Sequence, residues 1–227
     1  MHTTQFPRVK ICCIASPEEM RLAVRCGASA VGLVSAMPSG PGPISEEEIA
    51  AIAALVPPPV ASFLLTSRQE AEAVVAQQKK CGTNTIQLCD RMDTMELQRL
   101  RTALPGIALV QVIHVTGPES VEAARYAAPY VNAFLLDSGN PTAKIKELGG
   151  TGRVHDWSIS KTIKESFDIP VFLAGGLTPE NVAKAISEVA PFAVDVCSGV
   201  RTNGKLDEAK LSRFFQEVRS RNLPKVT

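Results

Sequence analysis

The chain has 227 residues, with 24 basic and 23 acidic side chains and a formal net charge of +1. This balance argues against a nucleic acid or an anionic membrane as partner, because both attract strongly basic surfaces. No apolar run approaches the roughly 20 residues of a membrane span. Residues 1–8 also lack the hydrophobic stretch of a signal peptide, so we expect a cytoplasmic protein.

The cysteines and histidines do not follow a metal-binding or disulfide pattern. The six cysteines have no C-x-x-C spacing, and the three histidines, at positions 2, 114 and 155, are scattered along the chain. A chain of this length buries a full core without disulfide bonds. We therefore expect neither a disulfide framework nor a metal site.

Eight short apolar runs alternate with amphipathic segments along the chain. The runs are rich in Val, Ile, Leu and Ala, which is typical of parallel strands that are buried on both faces. They cover residues 8–14, 30–35, 60–65, 85–88, 108–113, 131–136, 170–174 and 193–197. Eight strand–helix units in this length predict an α/β fold, a single (β/α)8 barrel domain over residues 1–227. The alternative is an open doubly wound sheet, which requires a glycine-rich turn after the first strand, where Cys12 and Cys13 stand instead.

Several segments between the strands predict where helices begin. A hydroxyl residue followed three positions later by Glu indicates a capping box at Ser16, Ser45, Ser67 and Thr116. Pro17 and Pro179 are predicted at first helical positions, where the missing N–H costs nothing. Val182, Ala185, Ile186 and Val189 repeat with the spacing of one helix face.

Glycines follow the last two predicted strands. Gly175 and Gly176 follow the seventh strand, and Ser198 and Gly199 follow the eighth. In a barrel these two loops are the recurrent phosphate site, because glycine lets backbone N–H groups approach an anion and the following helices add positive dipole. The alternative is that both segments are merely tight turns.

Two strand ends carry side chains suited to acid–base chemistry. Side chains alternate along a strand, so only one of Cys12 and Cys13 is expected to face the barrel mouth. Lys10 lies on the same side of the strand as Cys12. If Lys10 pairs with Asp195 of the neighbouring eighth strand, both Lys10 and Cys12 face the barrel interior. The alternative is that Cys12 is a small core residue. Asp137 ends an apolar strand, where a carboxyl needs a partner or a task and is a natural general acid.

The longest segment without periodicity covers residues 138–157, after the sixth strand. A loop of this length in a compact domain is usually functional. We expect His155 and Trp157 to anchor it, since amphipathic rings often bury at the base of a loop. His114, at the end of the fifth strand, is either a structural histidine or a ligand of the substrate.

Seven motifs along the chain form a distinctive combination. They are Val9-Lys10-Ile11-Cys12, Phe134-Leu135-Leu136-Asp137, Gly149-Gly150-Thr151-Gly152, Asp156-Trp157, Ala174-Gly175-Gly176-Leu177-Thr178-Pro179-Glu180-Asn181-Val182, Pro191-Phe192-Ala193-Val194-Asp195-Val196 and Ser198-Gly199-Val200. Together they resemble the phosphoribosylanthranilate isomerase family of tryptophan biosynthesis. The resemblance covers nearly the whole chain and is densest from Phe134 onward.

The resemblance implies a (β/α)8 barrel enzyme that isomerises a phosphorylated sugar by an Amadori rearrangement, without a cofactor. It implies that Asp137 is the general acid that protonates the furanose ring oxygen. It further implies that Cys12, as a thiolate, removes the proton from C2′. The substrate phosphate is then expected at Gly152, Gly175, Gly176, Ser198 and Gly199.

The sequence departs from the family pattern at the end of the site that holds the amine substituent. Family members carry an arginine for the anthranilate carboxylate in the loop after strand two, but residues 37–43 contain no basic residue. Cys13 stands where the family usually has Gly, and Cys89 where it usually has His. Arg91 is the nearest basic candidate for the carboxylate.

Three functions are therefore compared. The first is an Amadori-type isomerase, either the tryptophan-pathway enzyme or a paralogue that acts on another phosphoribosylamine. The second is a non-catalytic phosphosugar-binding barrel, which has no need for Cys12 or Asp137. The third is another phosphate-binding barrel enzyme, such as an aldolase or epimerase, but no strand ends in the lysine that an aldolase uses for its Schiff base.

Overall fold

A computed structural model describes residues 6–220, so His2 and the N-terminal segment that was assessed for a signal peptide lie mostly outside the described residues. Eight strands form the barrel: β1 Arg8–Ile11, β2 Ala30–Val34, β3 Ala61–Thr66, β4 Thr85–Leu88, β5 Ala108–His114, β6 Ala133–Asp137, β7 Val171–Leu173 and β8 Ala193–Val196. The helices are α1 Pro17–Cys26, α2 Glu46–Ala53, α3 Ala71–Cys81, α4 Thr94–Ala103, α5 Ser120–Ala127, α6 Trp157–Ser166, α7 Val182–Val189 and α8 Glu208–Ser220. Short 3-10 helices cover Ala128–Tyr130 and Ser198–Val200, and a small hairpin, β9 Arg201–Thr202 and β10 Lys205–Leu206, precedes α8.

The eight long strands pair in chain order, all parallel, and β8 pairs with β1 to close the barrel. This confirms the predicted (β/α)8 fold and excludes the open doubly wound sheet. Each predicted run contains most of one strand. The boundaries differ by a few residues, most of all for β1, which ends at Ile11 rather than at Ile14.

Alternation along each strand separates two apolar cores. Side chains such as Ile11, Leu64 and Phe134 point outward and pack in the large core between the barrel and the helices. Side chains such as Phe63, Leu135 and Phe172 fill the barrel interior. Because both faces of every strand are covered, most successive residues of each strand are apolar.

The interior also holds one buried ion pair. Lys10 lies opposite Asp195 in the β1–β8 register, and its Nζ is 2.9 Å from the Asp195 Oδ1. Burial alone would lower the pKa of Lys10, but the charge and hydrogen bond of Asp195, together with the charges of Cys12 and Cys13, outweigh burial and raise this pKa above its ordinary value. The predicted pair is therefore confirmed, with Lys10 as an ammonium.

Two of the predicted helix starts are confirmed. The Ser45 side chain accepts the N–H of Glu48, and the Glu48 carboxylate accepts the N–H of Ser45, which is a complete capping box. Ser16 caps the Glu19 N–H in front of α1, and Pro17 is the first helical residue. The returning carboxylate of Glu19 accepts the N–H of Ala15 instead of that of Ser16.

Three other predicted starts are wrong. The N-cap of α3 is Glu70 rather than Ser67, and that of α5 is Glu119 rather than Thr116. The Thr116 hydroxyl does bond to Glu119, at 2.8 Å, but within the loop before the helix. Pro179 lies in a turn, and α7 begins at Val182, where the predicted apolar face is indeed buried.

Among residues 6–220, no helix combines the length and the apolar character that a membrane crossing requires.

The two kinds of predicted cap differ in their expected contribution to stability. Ser45→Ala removes an N-cap hydroxyl and is expected to lower the free energy of unfolding by about 1 kcal/mol. Thr116→Ala removes only an exposed loop contact and is expected to change it by less than about 0.5 kcal/mol. Urea unfolding of both variants measures the difference, and equal losses would contradict the assigned N-caps.

The buried ion pair gives a second stability prediction. Lys10→Met leaves the Asp195 carboxyl buried without its partner and is expected to cost about 3–5 kcal/mol of unfolding free energy. Lys10→Met combined with Asp195→Leu removes both charges and is expected to cost clearly less than the single change. Urea unfolding decides this, and a double variant that is less stable than Lys10→Met would contradict it.

Candidate active site

A cavity opens at the carboxyl ends of the strands, where barrel active sites lie. The loops after β1, β2, β4, β6, β7 and β8 contribute to its wall. Of the residues predicted from the sequence, the structure brings six together in this wall: Cys12, Asp137, Gly152, Gly175, Gly176 and Ser198. Gly199, the remaining one, lies beside the wall.

The Cys12 thiol lies inside the barrel above the Lys10–Asp195 pair. A Cβ at Gly32 on β2 would be 3.1 Å from both the Cys12 Sγ and the Lys10 Nζ, so the sulfur and the ammonium approach the same point. The charge of Cys12 is one of the factors that raise the pKa of Lys10. A side chain at position 32 would require the sulfur or the ammonium to shift by a few tenths of an ångström.

Cys13 does not follow the alternation that was expected of a strand residue. Because β1 ends at Ile11 and Cys13 has φ +61°, the backbone turns and both thiols line the cavity. The prediction that only one of them faces the mouth is therefore wrong. The Cys13 Sγ lies 2.8 Å from the Cys197 Sγ, and the wall at Gly42 has no space for a Cβ beside it.

Asp137 ends β6 and is buried at the cavity wall. Its Oδ1 accepts the Ser138 N–H at 2.7 Å and lies near the Ser138 hydroxyl at 3.4 Å. Its Oδ2 points to the other side, 2.8 Å from where a Cβ of Gly149 would be. One oxygen is thus fixed by the protein, while the other remains directed toward the Gly149 loop of the cavity wall.

His155 lies behind this carboxyl. A Cβ at Gly175 would be 3.0 Å from the His155 Nδ1 and 3.2 Å from the Asp137 Oδ1, so both groups surround the start of the loop after β7. The His155 Nε2 lies 2.6 Å from the Ser160 Oγ on α6, which anchors the end of the long loop as predicted. Burial lowers the pKa of His155, although Asp137 and Asp156 act in the opposite direction.

Three glycine N–H groups are available to an anion at the cavity. Gly152, Gly175 and Gly176 have φ of +69°, +80° and +60°, a region that favours glycine. Within residues 6–220, their N–H groups donate to no other part of the chain. The Ser198 hydroxyl completes the cluster, 3.8 Å from the position of a Gly152 Cβ.

The helices that follow these loops begin differently from expectation. A single 3-10 turn, Ser198–Val200, follows β8 directly, but α7 begins only at Val182, six residues after Gly176. The expected dipole of a long helix is therefore not adjacent to the glycines of the β7 loop. A Cβ at Gly199 would lie 2.0 Å from the Leu177 carbonyl oxygen, so this glycine lets the two loops pack together.

The contact between the loops after β2 and β6, which both line the cavity, was not predicted from the sequence. The loop after β2 packs against the long loop after β6, and the Ser39 hydroxyl donates to the Lys146 carbonyl at 2.7 Å. A Cβ at Gly150 would lie 2.5 Å from Pro41, which shows how closely the two loops approach. The glycines and prolines of both segments indicate that each backbone is closely approached. They do not indicate which other loop packs against it.

The basic residues near the mouth also differ from expectation. No lysine or arginine among residues 6–220 lines the cavity. The Arg91 guanidinium stacks on the Tyr126 ring at 4.3 Å, and Arg91 is not part of the wall. Lys146 instead reaches the buried Asp90, just after β4, with its Nζ 2.5 Å from the Oδ2.

Cys89 and His114 have structural contacts. The His114 Nε2 lies 3.0 Å from the Cys89 carbonyl oxygen, and the ring is not part of the cavity wall. Cys89 lines the cavity, but burial raises the pKa of its thiol to about 12, so it is a neutral thiol at physiological pH. In the described part of the chain, no three His, Cys, Asp or Glu side chains are grouped to hold a metal ion.

A closed barrel with glycine loops after β7 and β8, and with a thiol and a carboxyl at its mouth, is typical of (β/α)8-barrel enzymes that act on phosphorylated ligands. Comparison with known proteins is more specific. The family model for N-(5'phosphoribosyl)anthranilate (PRA) isomerase matches residues 9–217. The chain therefore belongs to the phosphoribosylanthranilate isomerase family.

Individual relatives agree with this assignment. The N-(5'-phosphoribosyl)anthranilate isomerase of Methanocella arvoryzae is 35% identical over 213 residues, which cover 93% of this chain and 98% of the relative. The crystal structure of the Thermotoga maritima enzyme has a TM-score of 0.81 and 31% identity, with 94% of this chain and 99% of that chain covered. A phosphoribosyl anthranilate isomerase in complex with reduced 1-(o-carboxyphenylamino)-1-deoxyribulose 5-phosphate has a TM-score of 0.78 and 29% identity, with 94% and 99% covered.

The environment of His155 predicts a pH dependence of stability. Because folding lowers the pKa of this ring from 6.5, its contribution to stability is complete above pH 6.5 and is lost as the pH falls. Between pH 7.5 and 5.5, wild type is expected to lose up to about 1.4 kcal/mol more unfolding free energy than His155→Asn. Urea unfolding at both pH values measures this, and an identical pH dependence of the two proteins would contradict it.

Proposed function

We propose that this chain isomerises N-(5-phosphoribosyl)anthranilate to 1-(2-carboxyphenylamino)-1-deoxyribulose 5-phosphate, a step of tryptophan biosynthesis. The observation that carries the proposal is that the Cys12 thiol, the Asp137 carboxyl and the glycine loops line one cavity at the carboxyl ends of the strands. Membership of the family and the product analogue in a solved relative support the same substrate.

The phosphate is proposed to bind at the loops after β6, β7 and β8. The free N–H groups of Gly152, Gly175 and Gly176 and the Ser198 hydroxyl donate to its oxygens. Gly199 contributes by allowing the β8 loop to approach Leu177. A site of backbone dipoles explains how a nearly neutral protein binds an anionic ligand without a basic patch.

Asp137 is proposed to open the sugar ring as general acid. Its proton moves to the furanose oxygen, the bond between C1′ and that oxygen breaks, and the amine nitrogen supplies the electron pair for a protonated Schiff base. A general acid must lie within hydrogen-bond distance of the atom that it protonates. The Oδ2 is proposed to make this contact, because Ser138 holds the other oxygen and Oδ2 is directed at the Gly149 loop of the cavity wall.

Cys12 is proposed as the base of the second step. Its thiolate takes the C2′ proton, the C–H electron pair forms a C1′–C2′ double bond, and the iminium nitrogen is neutralised. Protonation at C1′ and loss of the hydroxyl proton at O2′ then give the ketone, so the product is an isomer of the substrate. The Lys10 ammonium beside the sulfur attracts the thiolate, which is the nucleophilic and basic form of cysteine.

Replacement of either group tests the proposal. Cys12→Ser and Asp137→Asn are each expected to lower kcat about 10²- to 10⁴-fold, because each removes one proton transfer. Loss of anthranilate fluorescence in the presence of freshly made phosphoribosylanthranilate measures the rate. Both variants are expected to bind the reduced product analogue, because the phosphate loops are unchanged.

The outcomes separate the proposed reaction from a paralogue's reaction and from binding alone. Turnover that is unaffected by either change contradicts the assigned acid and base. Wild-type protein that binds the product analogue but does not turn over the substrate contradicts the tryptophan-pathway reaction. That result instead favours a paralogue with another amine substituent or a binding protein.

A further inference from the structure

The proposed substrate carries two anionic groups at opposite ends, and the cavity wall accounts for only one of them. The product analogue bound by the solved relative has a 5-phosphate at one end and a carboxyphenylamino group at the other. The glycine loops match the phosphate. No lysine or arginine of residues 6–220 lines the wall, yet a carboxylate that leaves water needs a charged or hydrogen-bonding partner.

Barrel topology indicates where this second group lies. In a closed eight-stranded order, β4 stands across the mouth from β8. A ligand with its phosphate at the loops after β7 and β8 passes between Cys12, after β1, and Asp137, at the end of β6. Its aryl group therefore extends toward the ends of β2, β3 and β4, where Leu65 and Gln87 line the wall.

Lys146 lies just outside the wall, next to the wall residue Ser39. Its ammonium is held by Asp90, directly after β4, and its carbonyl accepts the hydroxyl of Ser39 from the loop after β2. Leu148, two residues further along, lines the cavity. The Lys146 side chain is 42% exposed, whereas the Asp90 side chain that holds it is only 8% exposed.

Two other cations near the mouth are less suitable. Both terminal nitrogens of the Arg201 guanidinium are engaged, because they donate to the carbonyl oxygens of Cys12 and Cys13 and pair with Glu19. The Arg153 backbone lies within 3 Å of where a Gly176 Cβ would be, at the phosphate end of the cavity.

We infer that Lys146 binds the carboxylate of the aryl amine and that Asp90 positions it for this purpose. The inference rests on the proposed function and names the specificity-determining residue of the same site. An ammonium has three N–H donors, and Asp90 occupies only one side of it, so donors remain for a substrate carboxylate. The charge is supplied by the loop after β6, since the loop after β2 contains no basic residue.

The experiment compares two substrates that differ only in the charged group. These are N-(5-phosphoribosyl)anthranilate and N-(5-phosphoribosyl)aniline, which lacks the carboxylate. Lys146→Met is expected to raise KM for the first about 10- to 100-fold, the effect of losing a hydrogen bond between charged groups. The KM for the aniline substrate is expected to stay within about twofold, and kcat for both within about threefold.

Two further variants complete the test. Lys146→Arg keeps the charge and is expected to retain most of the preference for the carboxylated substrate. Lys144→Met removes an exposed lysine from the same loop and is expected to leave both KM values unchanged. An equal rise of both KM values in Lys146→Met indicates a purely structural role and overturns the inference, as does no change in either.

Failure of the proposed function gives a different result. If wild type turns over neither substrate, the proposed reaction is wrong. Calorimetric binding of the reduced product analogue, with and without its carboxyl group, then tests Lys146 alone. The inference is supported if wild type prefers the carboxylated analogue and Lys146→Met does not. It is overturned if wild type binds the two analogues equally.

Discussion

Closure of the barrel between β1 and β8 is the constraint on which the site depends. The first and last strands are more than 180 residues apart, yet Lys10 and Asp195 form a buried pair across their junction. This register places the Cys12 thiol next to the loops after β7 and β8. In an open sheet with the same strand order, these residues would lie at opposite edges, and no cavity would combine a base with a phosphate site.

The fold was predictable because its signals are local and repeated. Eight apolar runs with strand composition alternate with helical segments, and each run coincides with most of one strand. Helix starts were less reliable for a physical reason. A hydroxyl and a Glu three residues later bond equally well in a loop, as Thr116 and Glu119 do, so the pattern alone does not require that a helix begins there.

The centre of the candidate site was predictable because the carboxyl ends of all barrel strands meet at one mouth. Cys12, Asp137 and the glycines were identified from their positions at those ends, and the structure brings them together. The direction of Cys13 was not predictable, because a positive φ at a non-glycine residue has no sequence signal. The position of Lys146 was not predictable either, since its contacts with Ser39 and Asp90 join segments 107 and 56 residues away in the chain.

The contact between the loops after β2 and β6 has a consequence for how this protein varies among its relatives. Gly40 and Gly150 lie against Gly149 and Pro41, so neither segment accepts a bulkier residue or an insertion at the contact unless the other one changes. Two segments that lie far apart in the chain therefore constrain each other through this contact. Replacement of one loop with that of a distant relative is expected to require replacement of the other as well.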